Sequence, residues 1–217
     1  MGGRKGMNYK ALLSYLVVAL FIGYIVIQYI VYGPKQSGIV SGKLEDSGFP
    51  YSQWQVFFFI HIATGAIALA AGPFQFLKAS RKKTSIHRII GRIYVSSIFL
   101  SVPAGIYLAF YATGGIGSTI GFLCLDAAWF ITAFVGLKRI RERKIDSHQE
   151  WMIRSYAVTL VFITFRIFLP LLTVVAGAGF PLAFPLAVFL AMLMNLWLAE
   201  WYVRRKRSAS VNTRFSV

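Results

Sequence analysis

The residues of this chain whose types and spacing could do chemistry fall into two groups. His61, Asp126 and Arg166 each stand inside a long apolar run. An imidazole, a carboxylate and a guanidinium are costly in hydrocarbon, so each needs a partner or a function. The second group stands where apolar runs begin: His87, Arg88, Arg92 and Tyr94 at one place, with Gln75 just ahead of them, and His148, Glu150, Arg154 and Tyr156 at another. Two neutral imidazoles with the Glu150 carboxylate are ligands for a divalent metal. The two imidazoles alone are axial ligands for haem b, with Arg88, Arg92 and Arg154 on its propionates. The same arginines alone would hold lipid phosphates. Spacing leaves these three readings open. The chain has no Cys-x-x-Cys, no His-Glu-x-x-His, no phosphate loop and no serine–histidine–aspartate order, so no enzyme class follows.

The elements that must position these residues are membrane helices. Of 217 residues, 57% are hydrophobic and the mean hydropathy is +0.64, a balance that a soluble domain does not carry. The length fits one domain, residues 1–217. A net charge of +16 would suggest nucleic acid in a soluble protein. Here the basic residues gather between apolar runs, so the partner is the bilayer and not nucleic acid. The single cysteine, Cys124, lies inside an apolar run and excludes an intramolecular disulfide.

Six runs are long enough to cross a bilayer: 11–32, 54–77, 93–113, 118–138, 155–176 and 182–203. The first lacks a small-residue cleavage site after it, so it reads as a retained span. Lysines and arginines crowd the N-terminus, the segments after the second and fourth spans, and the C-terminus. The alternate connections are neutral or uncharged, which predicts a cytoplasmic-membrane protein with both termini cytoplasmic and anionic head groups against that face. Residues 33–53 read as an irregular external loop, with Tyr51 and Trp54 at the outer interface.

The first and sixth spans, 11–32 and 182–203, are nearly free of polar residues and read as peripheral. Spans two to five, residues 54–176, read as a four-helix core with polar stripes inward. His61, Gly65, Ala68, Gly72 and Gln75 share one helical face, Tyr94, Ser97, Ser101 and Gly105 a second, and Tyr156, Thr159, Arg166, Pro170 and Thr173 a third. At about 1.5 Å per residue, His61, Asp126 and Arg166 come to one depth, about 10–14 Å below the outer boundary. They form either a structural ion pair of Asp126 with Arg166 joined by His61, or an outward site for an anion, a proton or a quinone-like head group. Pro103 and Pro170 mark candidate kinks.

The two basic segments also match each other. Both run from Leu-Lys through a basic cluster to Ser-(x)-His and end Arg-x-Tyr, in register after a one-residue slip. An internal duplication of a helix–basic loop–helix unit would give this pattern. Ser147-His-Gln-Glu150 fits a capping box that would make His148 the first residue of its helix.

Several motifs together resemble a known family: His61 with the glycines after it, Gly72-Pro-Phe-Gln75-Phe, Arg81, His87-Arg88-Ile-Ile-Gly91-Arg92-Ile-Tyr94 and His148-Gln-Glu-Trp151-Met152-Ile-Arg154-Ser-Tyr156. They are similar to a prokaryotic integral-membrane family known as domain of unknown function 2306, over residues 54–176. That resemblance implies an all-α, multi-span membrane protein and no activity. The histidine-bearing core also resembles, faintly, transmembrane b-type cytochromes, which carry a histidine pair near each face. This chain has a candidate pair inside and only His61 outside. Three functions remain: a ligand, metal or haem protein for redox or proton transfer, a small permease using His61, Asp126 and Arg166, and a regulatory protein engaging anionic lipid or a partner.

Overall fold

The computed structural model describes residues 9–76 and 84–215. Lys78, Arg81, Lys82 and Lys83, the most basic part of the first charged segment, lie outside the described residues. The chain is helical throughout what is described: α1 (Tyr9–Val26), α2 (Gly38–Ser41), α3 (Tyr51–Phe76), α4 (Thr84–Ala109), α5 (Gly115–Arg141), α6 (Ile145–Thr159), α7 (Val161–Pro170) and α8 (Phe180–Phe215). α1 and α7 each continue into a π-helical turn, Ile27–Val31 and Leu171–Val175. Among the described residues six segments are long and apolar enough to cross a membrane, with α6, α7 and the second π turn making up the fifth.

The third and fifth spans start earlier than their apolar runs, at Thr84 and Ile145. The apolar run marks hydrocarbon and not helix ends, and arginine and lysine are good helix formers that carry a helix on into the interface. His87 and His148 are therefore helical, each the fourth residue of its helix. The Ser147 capping box does not form, because α6 begins at Ile145 with no side-chain cap. The turn before it is set by Arg143 at φ 59°, with the Lys144 N–H on the Arg139 carbonyl at 2.9 Å. Arg139 (2.9 Å) and Lys144 (3.0 Å) both pair with Glu142 there. The Lys144 bond and then the Arg139 bond hold that carboxyl below its ordinary range.

α3 packs along α4, and α5 along α6, as two hairpins. Small residues on the inward stripes let them close. A Cβ on Gly72 would overlap the Tyr156 ring, and one on Gly65 or Gly136 would come within 2.7 Å of Phe162 Cζ or Met152 Sδ. α8, which its apolar sequence placed at the periphery, buries Ala183, Phe184, Ala187, Val188, Ala191 and Met192 beside Val161 and Phe165 of α7. Its Asn195 amide donates to the Ala157 carbonyl and to Thr164 Oγ1, both at 3.0 Å, straddling the interruption at Leu160 between α6 and α7.

Residues 33–50 are more ordered than an irregular loop. They carry a 3-10 turn (Pro34–Gln36) and α2, and Val40 is fully buried. Trp54 is buried too, stacked 4.5 Å from Phe58 in an aromatic cluster with Tyr29, so it is core and not an interface anchor. Trp197, Trp201 and Tyr202 on α8 are exposed, as lipid-facing anchors would be.

Gly72→Ala should lower the thermal unfolding temperature in detergent, since the forced overlap with Tyr156 costs about 1–3 kcal/mol. Gly91→Ala, whose Cβ would stand 3.5 Å from Gln75 Oε1, is the control and should leave stability nearly unchanged.

Candidate functional site: a cavity in the outer half of the bundle

The helix ends beside residues 33–50 enclose a cavity of about 170 Å³. His61 of α3, Asp126 of α5 and Arg166 of α7 all line it, and so does Gly105 of α4. Three residues that the sequence placed at one depth on separate helices therefore share one wall. Nearer the mouth, Lys43 and Thr113 line the same space. Most of the remaining wall is aromatic, including Trp54, Trp129, Phe162 and Phe184.

His61 is fixed by α4. Ser101 Oγ donates to the His61 carbonyl at 3.2 Å, and Nδ1 lies 3.2 Å from the Ser101 carbonyl. In the neutral ring Nδ1 is then the donor, and Nε2 is left with its lone pair. Arg166 donates from Nη1 to the Phe162 carbonyl at 2.7 Å, one turn back on its own helix. Its guanidinium lies 5.1 Å from the Phe21 ring and 6.0 Å from Tyr24, both on α1, as cation–π contacts. Asp126 is 4% exposed and receives no hydrogen bond or ion pair among the described residues. The ion pair of Asp126 with Arg166 that the sequence admitted is thus absent among them. Gly105 gives the carboxyl its room, because a Cβ there would come within 2.6 Å of Oδ2.

At the mouth, the Lys43 ammonium donates to the Tyr111 carbonyl, and burial pushes it down to about 8. The Thr113 hydroxyl is buried with no hydrogen-bond partner. Neither residue was singled out from sequence as a site residue, and only their place beside apolar runs could have signalled them.

The floor is a closed hydrogen-bond knot. Trp129 Nε1 donates to Thr159 Oγ1 (2.9 Å), and Thr159 donates to the Ser155 carbonyl (3.0 Å). Tyr94 Oη lies 2.9 Å from both Thr159 Oγ1 and Ser155 Oγ. Thr159 has already given its hydrogen away, so Tyr94 donates to it and Ser155 donates to Tyr94. Each donor has a partner, and all four side chains are buried. The bonds end at the Ser155 carbonyl.

The inner residues do other work. His148 Nδ1 donates to the Gly136 carbonyl at 2.7 Å. Glu150 is clamped by two bonds from Arg207, and Arg154 donates twice to Glu200 (2.7 and 3.1 Å) while lying 5.0 Å from the Trp151 ring. Gln75 Nε2 donates to the His87 carbonyl (3.3 Å), and Tyr156 Oη to the Leu69 carbonyl (3.3 Å). Arg88 and Arg92 are exposed. Among the described residues no three histidine, cysteine or acidic side chains gather as metal ligands. The His87, His148 and Glu150 set does not assemble, and the arginine at Arg154 expected on a propionate is committed to Glu200. Glu200 and Arg207, the true partners, sit in or after the sixth apolar run, where no local motif points back to α6.

Comparison with known proteins bears on the same residues. The family described as predicted membrane protein (DUF2306) matches residues 58–203. This chain belongs to that family. The DUF2306 match extends past the four-helix region into α8 and takes in His61, Asp126, Arg166, Asn195 and Glu200. No curated protein and no solved structure matches the chain.

Thr159→Val should strand the Trp129 N–H and unseat the Tyr94 hydroxyl, at roughly 1–3 kcal/mol for each buried donor left without a partner. The loss of unfolding temperature in detergent should exceed that of Ser155→Ala, which removes one donor and strands none. For Lys43, the unfolded chain keeps its proton to higher pH than the folded one, so stability rises as pH climbs from about 8 toward the ordinary lysine range. Nitrogen-15 lysine spectra should show one resonance titrating near pH 8.

Proposed function

We propose that this membrane protein binds a small, largely apolar molecule with a hydrogen-bonding head in the cavity between α3, α4, α5 and α7. The observation that carries this reading is Asp126, a buried carboxyl without a partner among the described residues, on the wall of an aromatic-lined space. Membrane proteins do not keep ionisable groups in hydrocarbon without use, and a carboxyl with open valences beside the His61 Nε2 lone pair is where a ligand's polar group would go. The volume suits one ring: cavities of roughly 150 Å³ hold a single benzene. Redox chemistry at His87 and His148 forms no part of the reading.

Residues 1–217 act as one domain in the cytoplasmic membrane, with 54–176 as its core and α8 as an added wall. Both termini lie on the cytoplasmic side, in support of which the basic C-terminal part of α8 meets the start of α6, just past the basic end of α5, through Arg207 and Glu150 and through Lys206 and Gln149 (2.8 Å). Arg88 and Arg92 face anionic head groups there.

A second reading, a permease, is favoured by the fifth span. It is interrupted at Leu160 and turns π-helical after Pro170, and interrupted helices at mid-membrane sites are how many transporters move.

Calorimetric titration with benzyl alcohol should give saturable binding to the protein in uncharged detergent. Ala109→Leu, which fills the cavity wall, should weaken it about tenfold or more. Equal binding by both would place the site elsewhere, and no saturable binding would end the reading.

A further inference from the structure

We infer that the ligand of this cavity is an organic anion, a carboxylate on a compact apolar body, held by Arg166 while Asp126 carries a proton. The inference rests on the binding reading above and adds the ligand's charge and its linkage to pH.

The wall bears two cations, Lys43 at the mouth and Arg166 at depth, and neither pairs with a carboxylate among the described residues. Arg166 spends one of its five N–H donors on the Phe162 carbonyl and rests its face on Phe21 and Tyr24. Its planar fork is the group that takes a carboxylate through two parallel bonds. An aromatic body would then pack on the ring-lined wall. At the mouth Lys43 draws anions in, and the partnerless Thr113 hydroxyl offers a donor on the way.

Asp126 looks at first like a reason for a cationic ligand. Two cations on the same wall oppose that: a ligand ammonium would meet one carboxylate and two positive charges. For an anion the difficulty is the reverse, since a charged Asp126 would repel it. A proton on Asp126 removes the repulsion and turns the carboxyl into a donor. One proton therefore travels with the anion, between the solvent at the mouth and Asp126. The other titratable or charged groups that line the cavity with Asp126 are His61 from α3, Arg166 from α7, Lys43 from the segment above, Tyr29 from the turn after α1 and Tyr111 just after α4. Along α4 the facing residue is Gly105, and α8 contributes the apolar Phe184.

The test compares benzoate, benzyl alcohol and benzylamine by titration calorimetry in uncharged detergent from pH 6 to pH 9. Benzoate should bind at least tenfold more tightly than benzyl alcohol at pH 6, and benzylamine least. Benzoate affinity should fall at least tenfold by pH 9, and Asp126→Asn should remove most of that fall while His61→Gln keeps it. Lys43→Gln should abolish the smaller part of the fall that begins near pH 8. Arg166→Gln should cost benzoate tenfold or more and leave benzyl alcohol unchanged, with Arg166→Lys recovering part of the loss. A cooperative thermal unfolding transition in the same detergent reports that each variant is folded, so an unfolded variant cannot imitate the result. If benzyl alcohol binds and benzoate is no better, or benzylamine wins, or affinity is flat with pH, the inference is overturned while the cavity reading stands. Binding of dihexanoyl phosphatidylglycerol without benzoate would make the anion a lipid head group and would likewise overturn it. If none of the three aromatics binds, both readings fall.

Discussion

A carboxyl group in the middle of a bilayer must be answered by something, and in this bundle the protein does not answer Asp126. At the inner end the same problem is solved with arginine: Glu150 by Arg207, and Glu200 by Arg154 and Arg204. Arg166 could have done so for Asp126 and instead bonds a carbonyl of its own helix and lies on two rings of α1. Gly105 keeps open the space that the carboxyl needs. The architecture around that unfilled requirement follows from it: helices close enough to enclose a cavity, aromatic walls to make it apolar, and residues 33–50 folded over the top.

The two ends of the bundle are consequently unlike. The inner half is tied by satisfied bonds that cross between hairpins. Tyr94 of the first hairpin reaches Ser155 and Thr159 of the second, and Tyr156 of the second reaches the Leu69 carbonyl of the first. That reciprocal crossing, with His87 and His148 at the same helical position, suits the internal repeat suggested by the sequence. The half beside residues 33–50 holds the cavity with Asp126 and the partnerless Thr113 hydroxyl, and the half of the fifth span that follows its interruption. The cavity thus lies to one side of the bonds that cross between the hairpins, a division suited to binding from one side.

Much of this was legible in the sequence because helical period and bilayer depth are geometric. The stripe Tyr94, Ser97, Ser101 and Gly105 is buried along its whole length, and each of its members except Ser97 meets a residue already marked: Thr159, His61 and Asp126. Equal depth along separate spans brought His61, Asp126 and Arg166 to one wall. What depth could not give was rotation about each helix axis, which decides that Arg166 turns toward α1. Nor could it give pairings between segments far apart in the chain. His87, His148 and Glu150 have the right types for a metal, yet Glu150 is taken by Arg207, 57 residues away, and no three such ligands gather among the described residues. Trp54 was mistaken for an interface anchor because an aromatic at a span's end has the same sequence signature whether it faces lipid or the core.

The most direct test of the account reads Asp126 itself. In protein labelled with carbon-13 at aspartate carboxyls, the infrared difference spectrum between empty and benzoate-filled states should contain a carboxyl band that Asp126→Asn deletes. That result would mean that the ligand and this carboxyl share one site. Benzoate binding that leaves the Asp126 band unmoved would contradict the account and return Asp126 to a structural role.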